Sequence, residues 1–91
     1  MTKQMNAIVI NEYGGRDQLT QTQMPIPEIS EHQLLVKVVS IGVNPIDWKV
    51  REGLRKKRYN FEFPIILGQE MAGVVAEVGK DVTGFKVGDA V

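Results

Sequence analysis

The sequence predicts a mostly β domain of the small α+β class, a partly open barrel with one short helix. Three observations carry this. Short β-branched runs recur between glycine and proline breaks, and only one stretch has both helix-opening and helix-closing signals. Strands nowhere alternate with long helical segments, as a parallel sheet would require. The 91 residues make a single small domain, 1–91. Its core is thin, because a chain this short buries only about 60–65% of its unfolded surface.

The elements follow in order. Ala7-Ile8-Val9-Ile10 is apolar and partly β-branched, and it stops at the turn signal Tyr13-Gly14-Gly15. Leu19 to Met24 alternates weakly until Pro25 and Pro27 remove amide donors. From Gln33 to Val43 apolar residues fill both faces, Leu35, Val39, Ile41 and Val43 on one and Leu34, Val36 and Val38 on the other. That pattern predicts a central strand. Asn44-Pro45 then combines a helix cap with the residue favoured in the first turn, and Gly53 supplies a left-handed stop. Asp47 and Arg51 are spaced to pair across that helix. Leu54 to Phe63 is a basic, then aromatic, loop closed by Pro64, and Met71 to Val78 returns to strand character. Lys86-Val87-Gly88-Asp89 is a turn that launches a strand at Ala90, one residue before the last. Six or so strands are expected. The unfinished one leads to the expectation that the chain is a fragment, and its bare edge predicts self-association into a homo-oligomer.

Composition excludes several functions. Eleven basic and eleven acidic side chains cancel, so no global field draws in nucleic acid or an acidic surface. Cysteine is absent and histidine occurs once, at His32, beside Glu31 in a polar loop. No apolar run approaches the roughly 20 residues of a membrane span, and the start, Met1 to Asn6, is polar. These features predict a cytoplasmic protein with neither membrane nor nucleic acid as partner. Arg55-Lys56-Lys57-Arg58, followed by Tyr59 and Phe61, hints at nucleic acid, but in a neutral chain it reads as a solvated loop.

Three stretches together resemble one family. Ile41-Gly42-Val43-Asn44-Pro45-Ile46-Asp47-Trp48-Lys49-Val50-Arg51-Glu52-Gly53 is similar to the active-site segment of medium-chain dehydrogenases/reductases. Pro64-Ile65-Ile66-Leu67-Gly68-Gln69-Glu70-Met71-Ala72-Gly73-Val74-Val75 resembles their glycine–histidine–glutamate region. Glu77-Val78-Gly79, with Val82, Phe85 and Val87-Gly88-Asp89-Ala90-Val91, resembles the hairpin that follows. The resemblance implies a GroES-like barrel, a Rossmann domain beyond it binding NADP or NAD, and hydride transfer between them. Zinc members of the family place a cysteine ligand at the position of Asn44, a histidine ligand at Gln69 and a proton-relay hydroxyl at Ile46. This chain therefore resembles the zinc-free quinone oxidoreductase branch, which implies NADPH, no metal, and a small quinone or enone as substrate.

On that resemblance Asn44 and Asp47 are the candidate catalytic residues. Asn44, Lys49 and Gln69 are the candidate cofactor contacts, and Trp48 is a candidate wall of the substrate pocket. Four of the five have a plainer reading from their local sequence. Asn44 is also a helix cap, Asp47 a partner for Arg51, Trp48 a packing residue and Lys49 a solvated one. Glu70 reads as a structural anchor for a backbone or arginine partner. A standalone binding or assembly module, and alcohol dehydrogenase-type activity of a full-length parent, are the alternative functions.

Overall fold

A computed structural model describes residues 3–59 and 61–91. Met1 and Thr2 of the polar start and Asn60 of the basic–aromatic loop lie outside the described residues. The chain forms two compact units, one from Met1–Ile26 with Val43–Gln69 and the other from Pro27–Gly42 with Glu70–Val91.

The first unit is a three-stranded antiparallel sheet and a short helix. Strand β1 (Gln4–Ile10) pairs with β2 (Thr20–Pro25) from Gln4 opposite Pro25 to Val9 opposite Thr20. A single 3-10 turn, Arg16–Gln18, joins them. The other edge of β1 pairs with β4 (Ile65–Ile66), Val9 opposite Ile66 and Ile10 opposite Ile65. Val9, Ile10 and Ile65 are buried, together with Val50 of helix α1 (Pro45–Arg51). Burying each such side chain contributes about 2 kcal/mol, so these few residues supply much of the unit's stability.

The helix ends as its sequence demands. Gly53 lies at φ +83°, and a Cβ there would come within 3.2 Å of the Tyr13 ring. Its N–H donates to the Val50 carbonyl at 3.0 Å. The expected Asp47–Arg51 pair is not formed. The Arg51 Nε donates to the Gly14 carbonyl at 3.2 Å, and the Gly14 N–H donates to the Arg51 carbonyl at 3.0 Å. The Tyr13-Gly14-Gly15 loop thus claims the guanidinium, and Tyr13 meets the edge of Phe63 with ring centroids 5.0 Å apart.

The second unit overturns one expectation. Strand β3 (Leu34–Gly42) pairs with β5 (Glu70–Val78) and with no other strand among the described residues. The doubly paired strand is β5, whose far edge receives the chain end. Gly73 and Val91 exchange N–H to carbonyl bonds of 3.0 Å each, and Val74 bridges Ala90. The strand expected to be left open at Ala90 is therefore paired. β3 is not central, and its Val38, Val39 and Ile41 are 53%, 73% and 67% exposed. Two bulges explain why its pattern misled, one between Leu35 and Val36 and one between Val38 and Ser40. A bulge puts two residues opposite one, so the strict alternation of faces does not run through Val39. Among the described residues neither sheet closes on itself, and strands far outweigh helix, in keeping with the partly open, mostly β class.

Candidate functional site

Helix α1 is opened by two residues that the sequence marks as functional. The Asp47 carboxylate accepts the Asn44 N–H at 3.0 Å, and the Asp47 N–H donates to the Asn44 carbonyl at 2.9 Å. The Asn44 side chain faces the same amide and completes a capping box. One N–H has one good bond to give, however, and the short one goes to the carbonyl. Asp47 is therefore the firm half of the cap, and the Asn44 side-chain amide is only lightly engaged. Both residues are half-buried.

Asp47 and Val50, three apart, share a helix face, and that face lines a cavity of about 110 Å³. Its other walls come from the segment after the basic loop: Phe61, Ile65 and Leu67, with Gln69 contributing an amide. Its lining residues are mostly apolar, with Asp47 and Gln69 the two that carry polar side chains. Such a pocket suits a planar, uncharged ring carrying one polar atom.

Two of the five sequence-derived site residues, Asp47 and Gln69, thus meet at one cavity. Asn44, Trp48 and Lys49 are not part of its lining. Helical geometry separates the last two, because residues one and two positions beyond Asp47 point away from the face that Asp47 shares with Val50. Trp48 is 43% exposed, and the Lys49 ammonium lies 5.7 Å from the centre of its ring, a cation–π arrangement. The aromatic wall of the cavity is Phe61, which sequence reasoning missed. Its signal was the Tyr59–Phe61 spacing after the basic run, and the two rings lie 5.6 Å apart. Glu70, expected to anchor a backbone or arginine partner, instead lies against Gly42, where its carboxylate occupies the space of a β-carbon.

Among the described residues the one cluster able to ligate a metal is Glu31, His32 and Asp81, all exposed and in the other unit. Glu31 is already neutralised by the Lys80 ammonium at 3.0 Å. No helix among the described residues is long and apolar enough to cross a membrane.

The family profile of the alcohol dehydrogenase GroES-like domain matches residues 30–91. An NADPH-dependent alkenal/one oxidoreductase of Arabidopsis thaliana is 42% identical over 98% of this chain, which spans 23% of that protein. A quinone-oxidoreductase homologue of Spinacia oleracea is 38% identical over 98% of this chain and 27% of its own length. The Escherichia coli quinone oxidoreductase, solved with NADPH, superposes with a TM-score of 0.85 at 31% identity over 94% of this chain and 26% of its own. A cobalt- and zinc-bound alcohol dehydrogenase of Pyrobaculum aerophilum superposes equally well, TM-score 0.85 at 33% identity over 97% of this chain and 26% of that one. The chain thus spans about a quarter of the length of the relatives it matches. The Arabidopsis and spinach relatives are both named chloroplastic, which overturns the cytoplasmic expectation. That expectation rested on a polar start and a soluble composition, and neither distinguishes one aqueous compartment from another. The profile match, the identities and the superpositions agree: the chain belongs to the alcohol dehydrogenase GroES-like family, within the medium-chain dehydrogenases/reductases whose quinone oxidoreductases are its homologues.

Proposed function

We propose that this domain, residues 1–91, is the substrate-side part of an NADPH-dependent oxidoreductase that reduces a quinone or an α,β-unsaturated carbonyl without zinc. The observation that carries the proposal is the cavity itself, with Gln69 and the capped Asp47 on apolar walls of Phe61, Ile65 and Leu67. Its volume is of the order of cavities that hold a single aromatic ring, about 150 Å³.

NADPH supplies the hydride when bound, and the chain's own residues orient and exclude water. The amide of Gln69, in the cavity lining, faces the substrate carbonyl, and that of Asn44, outside the lining, aligns the cofactor. A hydrogen bond from Gln69 to the carbonyl oxygen stabilises the negative charge that develops as hydride arrives. Asp47 fixes the backbone at Asn44 and so sets where that amide lies. Lys49, with its ammonium over Trp48, takes a cofactor phosphate only by leaving that ring. The segment Gly68–Gly73 runs into β5 rather than opening a helix, so it forms no pyrophosphate cradle of the glycine-turn type. Assembly into a homo-oligomer is part of the same proposal, with the second edge of β3, unpaired among the described residues, as its basis in place of the paired strand at Ala90.

Zinc does not fit the donor set. Zinc sites take thiolate, imidazole or carboxylate. The matched positions hold two amides, and the one nearby carboxylate, Asp47, spends an oxygen on the Asn44 N–H and offers too few donors for a zinc site by itself. Elemental analysis of the dialysed full-length protein is expected to find no stoichiometric zinc. One tightly held zinc per chain, lost in an Asn44→Ala or Gln69→Ala variant, would overturn this.

The reaction itself is tested by steady-state NADPH oxidation with a panel of single-ring quinones, short enones and simple alcohols run in reverse. A delocalised acceptor needs less polarisation than an isolated carbonyl, so the quinones and enones are expected to lead, with alcohols turned over at least about tenfold more slowly. Alcohol oxidation outrunning both would refute the assignment.

A further inference from the structure

The neutral formal charge hides a segregation. Lys49 to Glu62 carries six basic side chains against two acidic ones, a net of +4, and leaves the rest of the chain at −4. Four of the six cations are consecutive, Arg55 to Arg58, and they sit on a hydrogen-bonded turn that follows α1 directly. Leu54 N–H donates to the Lys49 carbonyl at 2.9 Å, and Lys56 N–H to the Gly53 carbonyl at 3.3 Å. Arg58 and Tyr59 N–H both donate to the Arg55 carbonyl, at 3.0 and 2.9 Å. Among the described residues no carboxylate forms an ion pair with any of the four. Leu54 and Tyr59, which flank the run in the chain, are exposed at 60% and 40%, and Phe63, five residues beyond Arg58 and edge-on to Tyr13, is 40% exposed.

We propose that this turn docks the protein peripherally on an anionic lipid bilayer. Four cations flanked in the chain by an exposed aliphatic and an exposed aromatic side chain make an interfacial composition. The ammonium and guanidinium groups attract acidic headgroups, while leucine and ring carbons enter the boundary with the acyl chains. A nucleic acid fits less well. Leu54 has nothing to gain against a phosphate backbone, and Tyr59 and Phe61, the aromatic pair nearest the cations, lie against each other rather than splayed to stack on bases. The proposal is independent of the reaction assigned to the cavity.

The test is co-sedimentation of the protein with phosphatidylcholine vesicles made with and without phosphatidylglycerol, alongside competition by a duplex oligonucleotide. Each cation near an anionic surface strengthens binding roughly fivefold. Partition onto the phosphatidylglycerol vesicles should exceed that onto phosphatidylcholine alone by about a hundredfold or more, and should fall as salt rises. The combined variant Lys56→Glu, Lys57→Glu, Arg58→Glu should abolish the difference, with an unchanged melting temperature showing that it folds. Leu54→Ser should weaken binding severalfold and leave its salt dependence unchanged. Equal partition onto both vesicles, or full binding by the charge-reversed variant, would overturn the proposal. So would displacement from the vesicles by the oligonucleotide at stoichiometric concentration, which would assign the turn to nucleic acid instead.

Discussion

Replacing Gly73 by valine is expected to destabilise the domain by about 3 kcal/mol. For a chain of this size that lowers the melting temperature by roughly 12–24 °C. Gly73 is buried in β5 opposite Val38, with Val91 hydrogen-bonded on its other side. Any β-carbon there runs into the Lys37 carbonyl, and the Val36 Cγ1 atom is only 2.8 Å away. The obstacle is the backbone of β3, which cannot rotate aside as a side chain would. Relief therefore requires the two strands to separate. Gly84 and Gly88 provide the control. Both have positive φ, but nothing lies within 4 Å of a β-carbon at either, so alanine there costs only the left-handed strain of about 1–2 kcal/mol. Thermal melts followed by circular dichroism separate the cases. A Gly73→Val protein melting within a few degrees of the parent would mean that β3 and β5 are not this close.

The second large effect concerns Asp47, and its two variants should differ. Asp47→Ala removes the acceptor of the Asn44 N–H, which costs about 1 kcal/mol of stability as a lost cap. For the proposed reaction of the full-length protein, kcat should fall by about a hundredfold, because an ångström of misplacement at a reacting group has that effect. Asp47→Asn keeps an oxygen at the same place, so the Asn44 backbone stays put, and kcat should remain within about tenfold of the parent. KM should change little in either variant if Asp47 acts by positioning. Equal losses in the two variants would return Asp47 to a role for its charge. Asn44→Ala with normal melting but low turnover would show that the amide, and not the cap, is what the reaction needs.

Much of this was legible from the chain. The Asn44-Pro45 opening, the Gly53 stop, the end of β2 at Pro25 and the strand from Met71 to Val78 each depend on a local residue preference, and local preference is what a sequence displays. The failures share the opposite cause. β4 is two residues long and exists because Val9 and Ile10 reach across the chain to it, which no window of neighbouring residues reveals. The 3-10 turn at Arg16–Gln18 is too short to leave a period. The apolar run of β3 registered hydrophobicity correctly but not its cover, since bulges break the alternation on which face assignment depends. At the site, the resemblance singled out Asp47 and Gln69, which meet. It offered Trp48 as a pocket wall, and Trp48 lies outside the lining of this cavity, whose aromatic residue is Phe61.

The division of the chain into Met1–Ile26 with Val43–Gln69, and Pro27–Gly42 with Glu70–Val91, has a consequence for synthesis. A nascent chain can close the β1–β2 hairpin early, because both strands lie in one short stretch, Gln4 to Pro25. Nothing else can be completed then: β1 waits for Ile65 and Ile66, and β3 waits for Glu70 to Val78. Throughout that interval the apolar run of β3 is on a growing polypeptide with neither strand partner nor cover, the condition under which chains associate wrongly. Holdase chaperones acting on the ribosome should therefore engage this protein between the emergence of Leu34 and that of Val78, and release it once β5 has been made.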